Sequence, residues 1–429
     1  MKIHLSFVVA ASVLSLGVTL ANVGVAQAAS AASVTQAREL LGRIASTRIP
    51  QSDVLVQKMA VKIEAGDLRG AADLAMTHKN FLNLTIKLMA SRMSTREEEN
   101  LPLNDFSAAF VGVTRDDLDA RTLLTGNFTY RGDPAKFTAS TSSPTVSLAN
   151  EVRTNAHYSE LEANGRDFGS MLMRVNQQFI ETSPDAGVTK VVGIQPDPAG
   201  VLTSRSFLAA QADAGTNRRP VEYAFREFMC VPIDQWADAT ASDNRIGRDI
   251  DRFPGGDNNK FQTSCKACHT GMDGFRGAFA KVDTMNGANI QASTGYPSNR
   301  WKAGVSTKMS RNADVFSGGF VTTDSSFVNN ARGPSNETLF GWRGPAAAGG
   351  STLNDFGQLL ANSKRFSRCM VKRVYDAVCK TDLDAQTNLA FLTQYGDGFE
   401  QSGYKFKYLV REISILPKCQ SAAGLGGAQ

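Results

Sequence analysis

The sequence predicts a mainly α-helical protein: a helical N-terminal domain, a middle domain gathered around one short motif, and a C-terminal helical segment. Three observations carry that reading. From Ser33 to Met93 apolar residues recur at three- and four-residue spacing, as in Leu55, Met59 and Ile63 and then Phe81, Leu84 and Leu88. The same period returns from Asn354 to Lys380, in Phe391 to Glu400 and in Tyr404 to Leu416. Between these texts lies a stretch punctuated by Gly318-Gly319, Gly333-Pro334 and Gly344-Pro345, which reads mostly as loop, with short strands such as Gly319 to Thr322.

Taken in order, Met1-Lys2, an apolar run from Leu5 to Val25 and the small-x-small triplet Ala26-Gln27-Ala28 make residues 1–28 a cleavable export signal. No later stretch reaches the length of apolar sequence that a membrane span requires. The mature chain is therefore expected to be periplasmic, with no membrane span. Residues 29–195 form the helical N-terminal domain. Within it, Leu103 to Tyr130 reads as helix and then loop, with Thr114-Arg115-Asp116-Asp117 as a helix start and Gly126-Asn127 as a turn after a helix end. Pro134 to Thr145 reads as loop, and helix resumes near Leu148 through His157 and Tyr158. Pro196, Pro198 and Gly200 mark a linker and a domain boundary. Residues 196–350 form the middle domain, 351–419 the C-terminal segment, and 420–429 a Gly/Ala-rich disordered tail.

A hydrophobic content of 42% is enough for ordinary cores, and a net charge of +5 is mild. Basic and acidic residues are interspersed, so no nucleic-acid footprint is expected.

The middle domain holds Cys265-Lys266-Ala267-Cys268-His269. Two thiols three residues apart with a histidine directly after the second is the spacing of covalent haem attachment. Each thiol can add to one vinyl group, and His269 then binds the iron from one face. A structural zinc site would need a second pair of ligands, which the sequence lacks. A redox dithiol would need a βαβ context, whereas Thr270-Gly271-Met272-Asp273-Gly274-Phe275-Arg276-Gly277 reads as a Gly-rich turn. The expected cofactor is one covalent haem c. Met272 is too near His269 to reach the opposite face. Met309, forty residues on, is the expected distal metal ligand, with Met285 next and an open sixth position as the alternative. His157 is a further distal candidate; a packed, hydrogen-bonded role beside Tyr158 outweighs it. Arg218 and Arg219 are expected to bind the haem propionates, because a guanidinium grips a carboxylate with two parallel bonds. The acidic and amide-rich run from Asp249 to Asn259 reads as a solvated turn, since it does not match a calcium loop.

The other cysteines are Cys230, Cys369, Cys379 and Cys419, an even set that suggests two disulfides in an oxidising compartment. If Asn354 to Lys380 is one helix, Cys369 and Cys379 stand about 15 Å apart along it, too far to bridge. Each should then pair with Cys230 or Cys419.

Leu202-Thr203 with Thr216-Asn217-Arg218-Arg219-Pro220, Cys265 through Phe275, and Leu360 through Cys369 together resemble the planctomycete-type cytochrome c family. The likeness spans about Leu101 to Cys419 and is most specific around the haem pentad. Where that family often has Asp-Pro, this chain has Asp273-Gly274, and it carries a single pentad. The resemblance implies haem and export and leaves the reaction open. The expected function is periplasmic one-electron transfer to or from a redox partner protein. The alternatives are a peroxidase-like haem enzyme with an open iron position, or a structural or assembly protein carrying haem.

Overall fold

The computed structural model describes residues 29–95, 100–136, 155–182, 189–212, 215–284, 299–301, 305–310 and 315–419. The expected export signal, Met285, most of Pro134 to Thr145 and the expected tail lie outside them. The described chain is mainly helical, as its periodicity predicts. Among the described residues no helix is long and apolar enough to cross a membrane.

Three N-terminal helices, Ala31–Ala45, Val54–Glu64 and Leu68–Ala75, pack on one another. Ser30, Asp53 and Asp67 cap their first turns, each accepting a backbone N–H that would otherwise have no partner. The last helix, Phe406–Ser414, returns to pack against Leu68–Ala75 and Lys364–Cys379. Phe110 stacks with Phe106 and Phe228 and touches Phe406, so all three expected segments meet in one core. The presumed linker is part of that core. Asp197 accepts the N–H groups of Leu353 (2.7 Å) and Asn354 (3.0 Å), the first turn of helix Leu353–Asn362. Gly200 has φ 54°, and a Cβ there would lie 2.0 Å from the Leu123 carbonyl oxygen. Its Pro and Gly residues shape a docked crossing of the core surface instead of a flexible spacer.

Other expectations need correction. Thr114 to Asp117 ends a helix: an Asn104/Ser107 capping box starts Asp105–Arg115 well before the residues expected to begin it. Ser363 divides the long C-terminal helix into Leu353–Asn362 and Lys364–Cys379. Its extended backbone turns the chain, and its hydroxyl accepts from Phe366 N to cap the second helix. The described part of the helix through His157 is Ala156–Ala163. Pro334–Phe340 is helical within the stretch read as loop, with Pro334 in its first turn, where the missing N–H costs nothing. Around Gly319 the only pairing described is a single bridge between Gly247 and Phe320.

Strands that the sequence did not signal flank this core. Phe128–Gly132 pairs antiparallel with Leu172–Asn176. A second sheet runs in the order Thr189–Ile194, Gln178–Thr182, Asn299–Trp301, Val282–Thr284. Its two central members are parallel and its outer pairings antiparallel.

The four cysteines outside the pentad pair as Cys230–Cys369 and Cys379–Cys419, with Cα atoms 5.3 and 4.8 Å apart. Cys369 and Cys379 do lie on one helix and are not joined, as its rise per residue requires.

Candidate functional site

Phe261–Cys265 forms a π-turn that runs directly into the helix Lys266–Phe275 and then the tighter turn Arg276–Phe279. The stretch expected to be a Gly-rich turn is therefore helix, and its glycines serve packing. A Cβ on Gly271 would lie 2.3 Å from the Trp236 ring, and one on Gly277 2.0 Å from the Ser326 carbonyl oxygen. Trp236 in turn stacks on Phe225 with centroids 4.4 Å apart, and Phe275 lies 5.2 Å from Phe225. The buried face of the motif helix is thus pressed flat onto an aromatic bed.

Cys265, Cys268 and His269 stand at i, i+3 and i+4, so helical geometry aligns them on one face. All three are half-buried, as is Met272 one turn on, while Thr270, Gly271, Asp273 and Gly274 are buried. Both thiols are free, in contrast to the four bridged cysteines. Burial, then the charges of Asp234 and Cys265, push the Cys268 thiol up.

Beneath His269 lies a buried set of charges. His269 Nδ1 is 3.4 Å from Asp273 Oδ1, one helical turn on. Arg218 grips Asp273 through two bonds, Nε to Oδ1 at 2.5 Å and Nη2 to Oδ2 at 2.7 Å, and the Gly247 amide donates to Oδ2 at 2.9 Å. The other side of the Arg218 guanidinium grips Asp249 at 2.5 and 2.9 Å, and Arg276 reaches Asp249 at 3.2 Å. Burial alone would push the Asp273 carboxyl up. The bonds from Arg218 and His269 outweigh it and hold the carboxyl well below the usual carboxylate range. An ionised carboxylate only accepts, so the proton of a neutral His269 sits on Nδ1 and the Nε2 lone pair is left for a metal.

Two expectations change here. Arg218 is committed to protein carboxylates with every guanidinium nitrogen engaged, which replaces the propionate role expected of it. Asp249 is a buried partner in that network instead of part of a solvated turn. No local signal could have revealed this, because Arg218 and Asp273 are 55 residues apart. Arg219 is half-buried as the first residue of helix Arg219–Met229.

Met309 is buried in the turn Thr307–Ser310, which is fastened by Ser306 N to Ala280 O at 2.7 Å and Lys308 Nζ to Ala212 O. His157 is also buried. Its ring lies against Tyr158 with centroids 3.8 Å apart, and its Nε2 has no hydrogen-bond partner among the described residues. It is therefore packed against Tyr158, as expected, with that nitrogen unpaired among the described residues. Burial, then the charges of Arg205 and Arg131, push its imidazole down to about 3. The Tyr158 hydroxyl bonds the Tyr130 carbonyl instead.

No family model, curated protein or solved structure matches the chain. The site's own chemistry carries the functional argument.

The residues present fit a covalent haem. Two unbridged thiols and an imidazole share a half-exposed face, and the imidazole's second nitrogen is already occupied by a carboxylate. The segments Thr216 to Pro220 and Leu360 to Cys369 both meet the helix Arg219–Met229. Arg218 bonds the motif helix from its start. Arg365 donates to the Met229 carbonyl at 2.8 Å at its end, beside Cys230–Cys369.

Proposed function

We propose that this chain is an exported c-type cytochrome of the planctomycete-type family that carries single electrons in the periplasm. Cys265 and Cys268 hold one haem through two thioethers, and His269 Nε2 binds its iron. Such a group supplies one-electron storage at a potential set by its axial ligands and surroundings. The observation that carries the reading is the alignment of Cys265, Cys268 and His269 on one half-exposed helical face, with His269 Nδ1 directed at the buried Asp273. Two disulfides beside two unbridged thiols add weight: an oxidising compartment closes cysteine pairs of suitable geometry. The signal read in residues 1–28 and the absence of a spanning helix among the described residues agree with export. Met309 is the sixth ligand in this reading, and the electron's source or destination is a periplasmic redox protein.

The test is production in a host equipped for cytochrome maturation. Denaturing mass spectrometry should show one haem on the wild type and none on the Cys265→Ala/Cys268→Ala variant. Colourless wild-type protein without the added mass ends the proposal. The reduced spectrum should be low-spin and unchanged by carbon monoxide, and Met309→Ala should make it carbon-monoxide-sensitive. A wild-type spectrum that is already high-spin and carbon-monoxide-sensitive moves the reading to a peroxidase-like oxidoreductase.

A further inference from the structure

The carboxylate under His269 is built with more apparatus than a helix needs. Asp273 is buried at 2% exposure inside a helix, a place where an apolar residue would serve packing alone. Both its oxygens are engaged: Oδ1 by Arg218 Nε and His269 Nδ1, Oδ2 by Arg218 Nη2 and the Gly247 amide. Arg218 cannot swing away, because its other edge is held by Asp249, which Arg276 braces in turn. The result is an acceptor with a fixed position, one turn beyond the histidine whose ring it faces.

Resting on the haem reading, we propose that Asp273 is the positioning residue of the axial ligand. It fixes the His269 ring with Nε2 turned outward and lends the imidazole negative charge, so that the iron is held at a lower potential than with a neutral acceptor. The physical chain is short. A carboxylate accepting from Nδ1 draws the proton toward itself and makes Nε2 a stronger donor. A stronger donor stabilises the higher-charged ferric iron more than the ferrous iron. The neighbouring charges then set how far this goes. Asp273 and Asp249 against Arg218 and Arg276 sum to zero, and Arg218 shares Oδ1 with the histidine. The network thus holds the carboxylate in place while moderating its pull. No atom is transferred in this role; the proton stays in the Nδ1–Oδ1 contact throughout the redox cycle.

The experiment compares the loaded wild type with Asp273→Asn, which keeps the side-chain shape and removes the charge. One haem per chain is first verified in both proteins by denaturing mass spectrometry. A wild type without haem refutes the parent reading and not this one alone. With haem present, spectroelectrochemical titration should show the reduction equilibrium of Asp273→Asn shifted at least tenfold toward ferrous, about 59 mV for one electron. An unchanged or lowered potential overturns the proposal. Should Asp273→Asn fail to mature, the reduced wild type decides by 15N NMR of labelled histidine. A protonated Nδ1 whose proton exchanges slowly with solvent supports the role, and a freely exchanging one overturns it.

Discussion

His269 and His157 carry the same ring into two opposite environments. His269 is half-exposed on a helix face beside two free thiols, with one nitrogen toward a carboxylate that Arg218 and a backbone amide hold in place. His157 is almost wholly buried, packs tilted against Tyr158, and is approached by the cations Arg205 and Arg131 without a compensating acceptor on Nε2. A carboxylate partner makes an imidazole a better metal donor; burial among cations only makes it refuse a proton. Histidine count alone treats the two as equal candidates, and their second neighbours separate them.

The most decisive way to break that contrast is to remove each ring in turn. His269→Ala should abolish the low-spin spectrum of the matured protein, whereas His157→Phe should leave band positions and carbon monoxide response unchanged. A spectrum that survives the first change and is lost in the second would reverse the assignment.

Next in size is the charge bed itself. Asp273→Ala leaves Arg218 with a buried edge facing no acceptor. Breaking a buried pair from one side costs about 3–5 kcal/mol. Denaturant unfolding of the unloaded variant and wild type should show that loss as a lower midpoint. A change below 1 kcal/mol would mean that water reaches the network freely and that the carboxylate is not fixed as described.

The legible and illegible parts of this chain divide by how far apart the cooperating residues lie. Helical period exposed the N-terminal bundle, and the pentad marked out the candidate site, because each signal sits within a few residues. Rise per residue alone excluded a Cys369–Cys379 bridge, although the continuous helix assumed there is broken at Ser363. Gly271 and Gly277 misled for a physical reason: glycine serves both a turn and a close approach, and only the positions of Trp236 and Ser326 tell which. Asp273 looked like one acidic residue of a turn. Its meaning depends on Arg218, Asp249 and Gly247, which the fold brings in from separate segments. The four-stranded sheet was missed for the same reason, since Gln178–Thr182 finds its parallel partner at Asn299–Trp301, more than a hundred residues on.

The smallest expected effect sharpens the comparison from the His157 side, through pH. Its folded pKa of about 3 lies far below the value of 6.5 for an unhindered histidine. Above about pH 6.5 the ring is neutral in both folded and unfolded chains and pH does not matter to it. As pH falls below that, the unfolded chain takes a proton that the folded chain refuses, and stability declines by about 1.4 kcal/mol per unit. The decline continues until pH nears 3, where the folded ring also protonates. At pH 5 the accumulated loss is about 2 kcal/mol. Buried carboxyls such as Asp197, Glu222 and Asp376 are pushed up by burial and act in the opposite sense. The informative quantity is therefore the difference in slope between wild type and His157→Phe over pH 5 to 7. Whatever constant offset the larger ring introduces, the variant should lose stability less steeply with acid. Parallel slopes would mean that His157 accepts its proton in the folded state, and the contrast with His269 would then rest on exposure alone.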